Sequence, residues 1–329
     1  MPVARSKCAA AALVACAAVA ISGCSWIAVQ SAPAKVPQPT TAEGQAVAAE
    51  FWTAFHAGRY DRIDELLEAH ARVLVARPGD TLTTAHKAWL HAWKLSERAR
   101  VRLEARTTEH ATLARTLFDE AARLDPADAR VLGFAAGMTM AEGAIFGDEK
   151  EKRRGYYRMK DAVAAFPEFN LFSSGYSMSG GPSDGAPFRE GLEQQWQTLD
   201  ICFGTRLSRR EPRIEPYLGL RTTEGPKRVC WNSWIAPHNW EGFFLNFGDM
   251  LARSGDLANA RTMYEATRLS ATYAEWPWRG VLERRLAHLD ELPQRLNDAA
   301  AGEREWTPMV QSVFACTGCH QAHGRSLLP

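Results

Sequence analysis

Apolar residues recur at helical spacing along most of the chain, and short polar or glycine-bearing segments separate these runs. The first run spans Ala46–Phe55, a break follows at Gly58, and a second run begins at Ile63. Apolar residues three or four positions apart lie on one face of a helix, so each run predicts a helix with one buried face. Two such helices joined by a tight turn predict a helical hairpin.

The clearest later hairpin begins with the run Phe244–Leu251 and turns at Gly255. A second helix then carries Ala260 and Tyr264. Small residues at Gly248 and Ala260 allow two helix backbones to approach closely, so we predict that the helices touch at these positions. The stretch therefore predicts a second hairpin close to the end of the chain.

Two further stretches end at a proline. Residues 114–126 carry small and aromatic residues at helical spacing before Pro126, and residues 143–167 do the same before Pro167. The residue before a proline disfavours the α conformation, so we predict that a helix ends before each proline. With the hairpins, these stretches predict an all-α fold.

The order of large, small, turn, small and aromatic residues in these stretches resembles the tetratricopeptide repeat, a unit of two helices. The resemblance implies stacked hairpins and a surface on which a protein partner docks. The units are irregularly spaced, and Phe244 stands where the repeat has a tryptophan. The fold class we predict is therefore all-α with irregular repeat-like hairpins, and an irregular all-α domain with chance hairpins is the alternative.

Residues 168–240 depart from this pattern. The stretch 173–185 is rich in serine, glycine and proline, which predicts a loop. A helical pattern returns over Phe188–Phe203, and prolines then interrupt the chain until a tryptophan-rich stretch begins at Cys230. We predict an ordered insertion that packs its aromatic side chains on the helices. A binding surface, or a lid over a cofactor, is the sharper alternative.

Beyond the insertion, the pattern predicts one helix over Tyr273–Leu289 and a last helix over Glu303–His320. The chain is thus divided into a signal peptide (1–23), a lipidated N-terminus with a Pro-rich linker (24–45), helical hairpins (46–167), an aromatic-rich insertion with one helix (168–240) and further hairpins with a C-terminal helix (241–329).

The N-terminus has the pattern of an export signal. Arg5 and Lys7 precede a short apolar run from Ala9 to Ile21, which is too short to be a typical spanning helix. The run ends in Ile-Ser-Gly-Cys24, which resembles the lipobox of bacterial lipoproteins. The resemblance implies cleavage before Cys24 and its lipidation, and hence a periplasm-facing protein anchored to a membrane, in the outer membrane if the following serine is the sorting signal. An ordinary secretory signal is the alternative.

The charge balance and the number of cysteines limit the classes of function that the sequence allows. Without Arg5 and Lys7, the chain has 37 basic and 38 acidic residues, a balance that argues against nucleic-acid binding. Two of the seven cysteines lie in the signal and Cys24 would carry lipid. In an oxidising compartment, we predict that Cys202 and Cys230 form a disulfide. The remaining pair lies close to the C-terminus.

That last pair belongs to the sequence Cys316-Thr-Gly-Cys319-His320, which is the attachment pattern of a c-type haem. In this pattern two thiols bond to the porphyrin and the histidine ligates the iron. We therefore predict a covalent haem c held by Cys316 and Cys319, with His320 as an iron ligand. The position on a last helix resembles cytochrome c′, and Cys316–Gly324 resembles one unit of a multihaem cytochrome.

The sequence does not identify the second axial ligand of the haem iron. His323 lies on the same side of the ring as His320, so it is a poor ligand for its own haem. Candidates elsewhere in the chain are Met250, Met263, His238 and His288, and an open position is equally compatible with the sequence. The remaining histidines lack metal-ligand spacing and are interpreted as ordinary side chains, among them His56, His70, His86, His91 and His110.

These features favour a membrane-anchored haem lipoprotein that transfers or senses electrons with a periplasmic redox protein. One alternative is a protein-binding scaffold in which Cys316, Cys319, His320 and His323 form a disulfide or bind zinc or copper. The other is a haem enzyme or gas-binding protein with an open axial position. The sequence contains no nucleophile elbow, phosphate loop, dinucleotide fingerprint or HExxH motif, which favours a function other than catalysis.

Overall fold

The structure, a computed structural model, describes residues 25–96, 107–217 and 239–298 together with Cys230, Trp306 and His320. The chain divides into two compact units, residues 1–36 and 37–329. In the described part of the first unit, residues 25–30 are helical, and Trp26, Ile27 and Val29 are exposed. These residues lie within the predicted Pro-rich linker, whose first described residues are therefore helical.

The second unit is all-α. Its described residues form helices, short 3₁₀ turns and an isolated bridge between Gln38 and Asp80. The α-helices are α1 (Ala42–His56), α2 (Ile63–Ala76), α3 (Thr81–Ser96), α4 (Thr107–Leu124), α5 (Ala129–Phe146), α6 (Glu149–Ala165), α7 (Pro167–Met178), α8 (Ala186–Phe203), α9 (Trp240–Arg253), α10 (Leu257–Arg268), α11 (Arg279–Ala287) and α12 (Leu292–Asp298).

The first hairpin is confirmed, with a longer first helix than predicted. The hydroxyl of Thr41 accepts a hydrogen bond from the Gly44 amide at 3.1 Å, and this N-cap starts α1 at Ala42 rather than Ala46. Gly58 takes a positive φ of 64° in the turn, and a 3₁₀ turn leads into α2. Helix α3 packs on both α1 and α2.

Most of the following helices pack on their neighbours along the chain. Helix α4 lies between α3 and α5, helix α6 packs closely on α5, and α7 contacts both α5 and α6. Helices α4 and α6 end immediately before the Asp125-Pro126 and Phe166-Pro167 pairs, as the prolines predict. The resulting architecture is a series of helical hairpins.

The predicted loop over residues 173–185 is wrong in its first half. Pro167 is the first residue of α7, a position where proline is favoured because its missing N–H would have no partner there, and the helix continues to Met178. Asn170 stabilises this arrangement by donating to the carbonyl oxygens of Ala129 and Ala162. The insertion therefore contains two helices, α7 and α8, which pack on each other as a further hairpin.

The hairpin of α9 and α10 is confirmed, including the predicted close approach. A Cβ added to Gly248 would lie 2.3 Å from the Tyr264 ring, so α9 needs a glycine at this point. Gly255 takes a φ of 86° in the turn. The predicted single helix over Tyr273–Leu289 is wrong, because Trp276-Pro277 separates a 3₁₀ turn from α11, which begins only at Arg279.

Three main hydrophobic clusters form the core of the second unit. The N-terminal cluster lies among α1, α2 and α3, the middle cluster among α3, α4 and α5, and the C-terminal core among α7–α12. The predicted disulfide is present: Cys202 and Cys230 are bonded, with Cα atoms 5.8 Å apart, and both are buried in the C-terminal core. The predicted helix over Glu303–His320 lies outside the described residues, apart from Trp306 and His320.

A candidate functional site of histidines and aromatic rings

Helix α1 ends in a patch of aromatic rings and one imidazole. Phe51 and Phe55 are one helical turn apart, as are Trp52 and His56, so these four residues share neighbouring parts of one face. The ring centroids of Phe51 and Phe55 are 5.4 Å apart, and those of Trp52 and His56 are 5.3 Å apart. Phe51, Phe55 and His56 are buried, whereas Trp52 is half-buried.

Two further imidazoles, those of His70 on α2 and His86 on α3, lie beside this patch. His86 on α3 lies 4.8 Å from the Phe51 ring and 5.6 Å from the Trp52 ring. His70 on α2 lies 6.2 Å from His86, and its Nδ1 is 2.8 Å from the Leu66 carbonyl oxygen. The outcome is a set of buried imidazoles that lie against aromatic side chains.

Burial keeps these two histidines neutral. Removal from water, together with smaller effects of the neighbouring His70 and Arg130, lowers the pKa of His86 from 6.5 to about 3. Burial also lowers the pKa of His70, against a smaller opposing effect of its hydrogen bond to Leu66. Among the described residues, Nδ1 of His86 and Nε2 of His70 have no hydrogen-bond partner. Unsatisfied buried polar atoms are uncommon and call for an explanation.

His320, the histidine of the predicted haem motif, lies against the end of α1. Its ring centroid is 4.7 Å from that of Phe55 and 6.2 Å from that of Trp52. The ring of His56 is nearly parallel to it, at an angle of 10° and a centroid separation of 6.0 Å. The structure thus brings His320 to the first helix of the second unit. We name the set Phe51, Trp52, Phe55, His56, His70, His86 and His320 the histidine–aromatic cluster.

The other predicted site residues fall elsewhere. Met250 and Met263 are buried in the C-terminal core, whereas the described ring contacts of His320 are with α1. His288 is exposed and its ring lies 5.5 Å from Trp306. The assignments of Cys24, His238, Cys316, Cys319 and His323 lie outside the described residues and stay predictions.

Sequence reasoning missed the clustering of His56, His70 and His86. These residues come from three different helices, so no local spacing marks them as a group. A weaker signal was present in their helical neighbours: His56 follows Trp52 by one turn, and His70 lies one turn from both Leu66 and Val73. A histidine whose helical neighbours are apolar is placed on the buried face.

Among the described residues, no group of three or more histidine, cysteine, aspartate or glutamate side chains is arranged to hold a metal ion. None of the described helices has the length and apolar character needed to cross a membrane. Comparisons with protein-family models, curated proteins and solved structures found no match to the chain. The function is therefore argued from the sequence motifs and the site.

Proposed function

We propose that the protein is an exported, membrane-anchored lipoprotein that carries one c-type haem on a tetratricopeptide-like helical scaffold. It transfers electrons to or from a periplasmic protein partner, or senses redox state with that partner. The observation that carries the proposal is the placement of His320, the histidine of the Cys316-Thr-Gly-Cys319-His320 motif, on a buried aromatic surface.

The residues of the cluster suit a haem. A porphyrin is a wide, flat and largely apolar group, and the rings of Phe55 and Trp52 beside His320 offer an apolar, aromatic surface. Cys316 and Cys319 would hold the group through thioether bonds, and His320 would ligate the iron. When bound, the haem supplies one-electron exchange.

The protein side chains set the surroundings of that exchange. Phe55 is buried and Trp52 is half-buried, so both limit the access of water to the His320 ring. Exclusion of water lowers the local dielectric, and this stabilises the less charged state of a redox centre. The burial of His70 and His86 in neutral form adds no positive charge to this surface.

The anchor is proposed from the N-terminal sequence. Cys24 follows the lipobox-like residues, and three exposed apolar side chains, Trp26, Ile27 and Val29, come immediately after it. A lipid chain together with adjacent apolar residues gives firmer membrane attachment than either signal gives by itself. This arrangement supports a protein held at the periplasmic face of a membrane, which we propose to be the outer membrane.

Covalent haem is tested by producing the full chain in an exporting bacterium that has a c-type haem maturation system. We expect one haem per chain, detected by haem staining of the denatured protein and by the pyridine haemochrome spectrum. Cys316→Ser combined with Cys319→Ser abolishes this signal, whereas Thr317→Ala, a matched change inside the motif, leaves it in place. Wild-type protein that carries no covalent haem under these conditions contradicts the proposal.

The same preparation distinguishes a covalent haem from a metal site and from a structural disulfide. Zinc or copper retained at one equivalent per chain, with loss on substitution of Cys316, would instead indicate a metal site. A disulfide between Cys316 and Cys319, found by counting thiols before and after reduction, would indicate a structural clip. Either result would favour a protein-binding scaffold over a redox protein.

A further inference from the structure

Two imidazoles outside the histidine–aromatic cluster meet directly between α3 and α4. His91 lies in the second half of α3, and His110 is the fourth residue of α4. Their Nδ1 atoms are 2.9 Å apart and their ring centroids are 5.2 Å apart. We propose that this pair is a pH-sensitive clasp, which holds the start of α4 on α3 and is released by acid. The inference is independent of the haem.

The two distances show how the rings of His91 and His110 face each other. The centroid separation exceeds the nitrogen separation by about twice the radius of an imidazole ring, so each Nδ1 points nearly straight at the other. This is the geometry of an N–H···N hydrogen bond. A metal ion held by both nitrogens needs them to point at one position beside the line that joins them. A shared proton therefore fits this pair better than a metal ion does.

The hydrogen bond limits how many protons the pair can bind. A neutral imidazole has one N–H group and one accepting nitrogen, whereas a charged imidazole has two N–H groups. One Nδ1 of the pair donates and the other accepts. A first extra proton on the Nε2 of the donor leaves this bond in place. A second one must go to the accepting Nδ1, which breaks the bond and places two positive charges against each other.

Burial determines which histidine stays neutral. His91 is buried, whereas His110 is half-buried and keeps contact with water, so the first extra proton goes to His110. Burial, followed in size by the effect of the neighbouring His110, lowers the pKa of His91 to about 3. The intact clasp therefore refuses a proton that a released His91 takes up below about pH 6.5, the ordinary pKa of histidine.

The charges on α2 and α3 around His91 act in both directions. Lys87 and Lys94, on the same helix, lower the pKa of His91 further. Asp64 on α2 raises it, but this carboxylate is itself bound by Lys94. The smaller charge effects on this side thus include one carboxylate that is already shared with a lysine, and burial remains the largest cause.

The charges on α4 and α5 face His110. Aligned peptide dipoles give the N-terminus of α4 a partial positive charge. Glu109, an exposed residue of the same turn, offsets part of the first positive charge on His110. On α5, Glu142 accepts hydrogen bonds from Thr112 and Arg115 of α4. A second positive charge adds to the positive end of the helix, so it weakens the attachment of that end.

The rest of the seam between α3 and α4 is apolar. Ala88 and Ala92 of α3 and Ala111, Ala114 and Phe118 of α4 are buried in the middle cluster. These contacts do not titrate, so acid leaves them in place. Release of the clasp is therefore a local opening of the first turn of α4 rather than a separation of the two helices.

Hydrogen exchange of the full chain between about pH 7 and pH 5 tests the release, since this range spans the ordinary pKa of histidine. The amides of residues 111–115 report it, because their helical hydrogen bonds go to the first turn of α4. After correction for the intrinsic pH dependence of exchange, we expect opening there to rise by up to about tenfold for each pH unit below 6.5. Residues 261–265 of α10 are the internal control and should show no such rise.

Two substitutions separate the clasp from general acid damage. A glutamine amide can both donate and accept but does not titrate, so His91→Gln and His110→Gln should each keep α4 folded and remove the pH dependence at residues 111–115. His288→Gln changes an exposed histidine elsewhere and should leave that dependence as in wild type. A dependence that persists in both glutamine variants, or is missing in wild type, overturns the proposal.

Nuclear magnetic resonance of the histidine ring nitrogens in the wild-type chain tests the shared proton without any substitution. At neutral pH, we expect one ring of the pair to carry its proton on Nδ1 and the other to have a bare Nδ1. Two rings that both carry the proton on Nε2 would overturn the proposal, whatever the glutamine variants show. None of these measurements depends on haem, so their failure leaves the proposed function unchanged.

Discussion

In the C-terminal core the buried guanidinium of Arg285 is held by the carboxylate of Asp249, whereas in the histidine–aromatic cluster buried imidazoles lie against aromatic rings. Arg285 Nε donates to Asp249 Oδ1 at 3.0 Å, and the Tyr264 hydroxyl donates to the same oxygen at 2.7 Å. Burial raises the pKa of Tyr264 well above its usual value, so the hydroxyl keeps its proton and remains a donor. Opposite charges and hydrogen bonds balance each other at this ion pair.

The histidine–aromatic cluster has no comparable balance. Among the described residues, Nδ1 of His86 and Nε2 of His70 lack a hydrogen-bond partner, although both side chains are buried. Burial without a partner costs free energy, and functional sites are where such a cost is commonly retained. At Asp249 and Arg285 the buried charges partner each other, whereas Nδ1 of His86 and Nε2 of His70 lack a partner among the described residues, so these imidazoles call for an explanation.

The largest expected effect is at the buried ion pair. Asp249→Ala leaves the guanidinium of Arg285 buried without its carboxylate, and we expect the free energy of unfolding to fall by about 3–5 kcal/mol. Urea unfolding followed by circular dichroism measures the change. The matched control is Glu265→Ala, which removes an exposed partner of Arg261 and should cost below about 1 kcal/mol. Equal effects of the two substitutions would show that burial adds nothing to the cost of losing the Asp249 carboxylate.

A smaller effect is expected where α9 and α10 meet. Gly248→Ala places a Cβ against the buried Tyr264 ring. The hydroxyl of this ring donates a hydrogen bond to Asp249, so the ring cannot move without disturbing the ion pair. We expect a loss of about 1–3 kcal/mol, the range typical of an overpacked core. Gly180→Ala is the control, because an added Cβ there meets no atom within 4 Å. A loss at Gly248 no larger than at Gly180 would contradict the close approach.

The smallest expected effect is a pH dependence of the folding stability that arises in the histidine–aromatic cluster. The folded-state pKa of His86 is lowered to about 3, so below pH 6.5 the unfolded chain takes up a proton that the folded protein refuses. Stability is therefore present above this pH and is lost as the pH falls towards the folded value. Relative to wild type, His86→Phe should become more stable as the pH falls from 6.5 to 5.5, by up to about 1.4 kcal/mol over that pH unit.

Urea unfolding at several pH values measures this gain. Phe51→Leu is the control, because it alters the same cluster without changing a titrating group. Its stability difference from wild type should be constant with pH. A constant difference for His86→Phe as well would show that His86 is not held neutral by burial.

The sequence predicted the hairpins because their signals are local. Gly58 and Gly255 mark turns, and the prolines at positions 126 and 167 mark helix ends. The disulfide of Cys202 and Cys230 followed from the small number of cysteines left after export. Each of these signals depends on a few neighbouring residues or on counting, so it can be read without the fold.

The errors have physical causes as well. Serine and glycine after residue 173 indicated a loop, but packing of α7 on α8 overrides that local preference. Trp276-Pro277 shortened a helix whose apolar spacing continued through it. The meeting of His56 with His320 joins positions 264 residues apart, and only the tertiary packing determines which residues then become neighbours.

The most direct test of the central claim is the absorption spectrum of the full chain matured with a c-type haem system, recorded oxidised and reduced. We expect one covalent haem per chain. A chain without covalent haem would contradict the central claim.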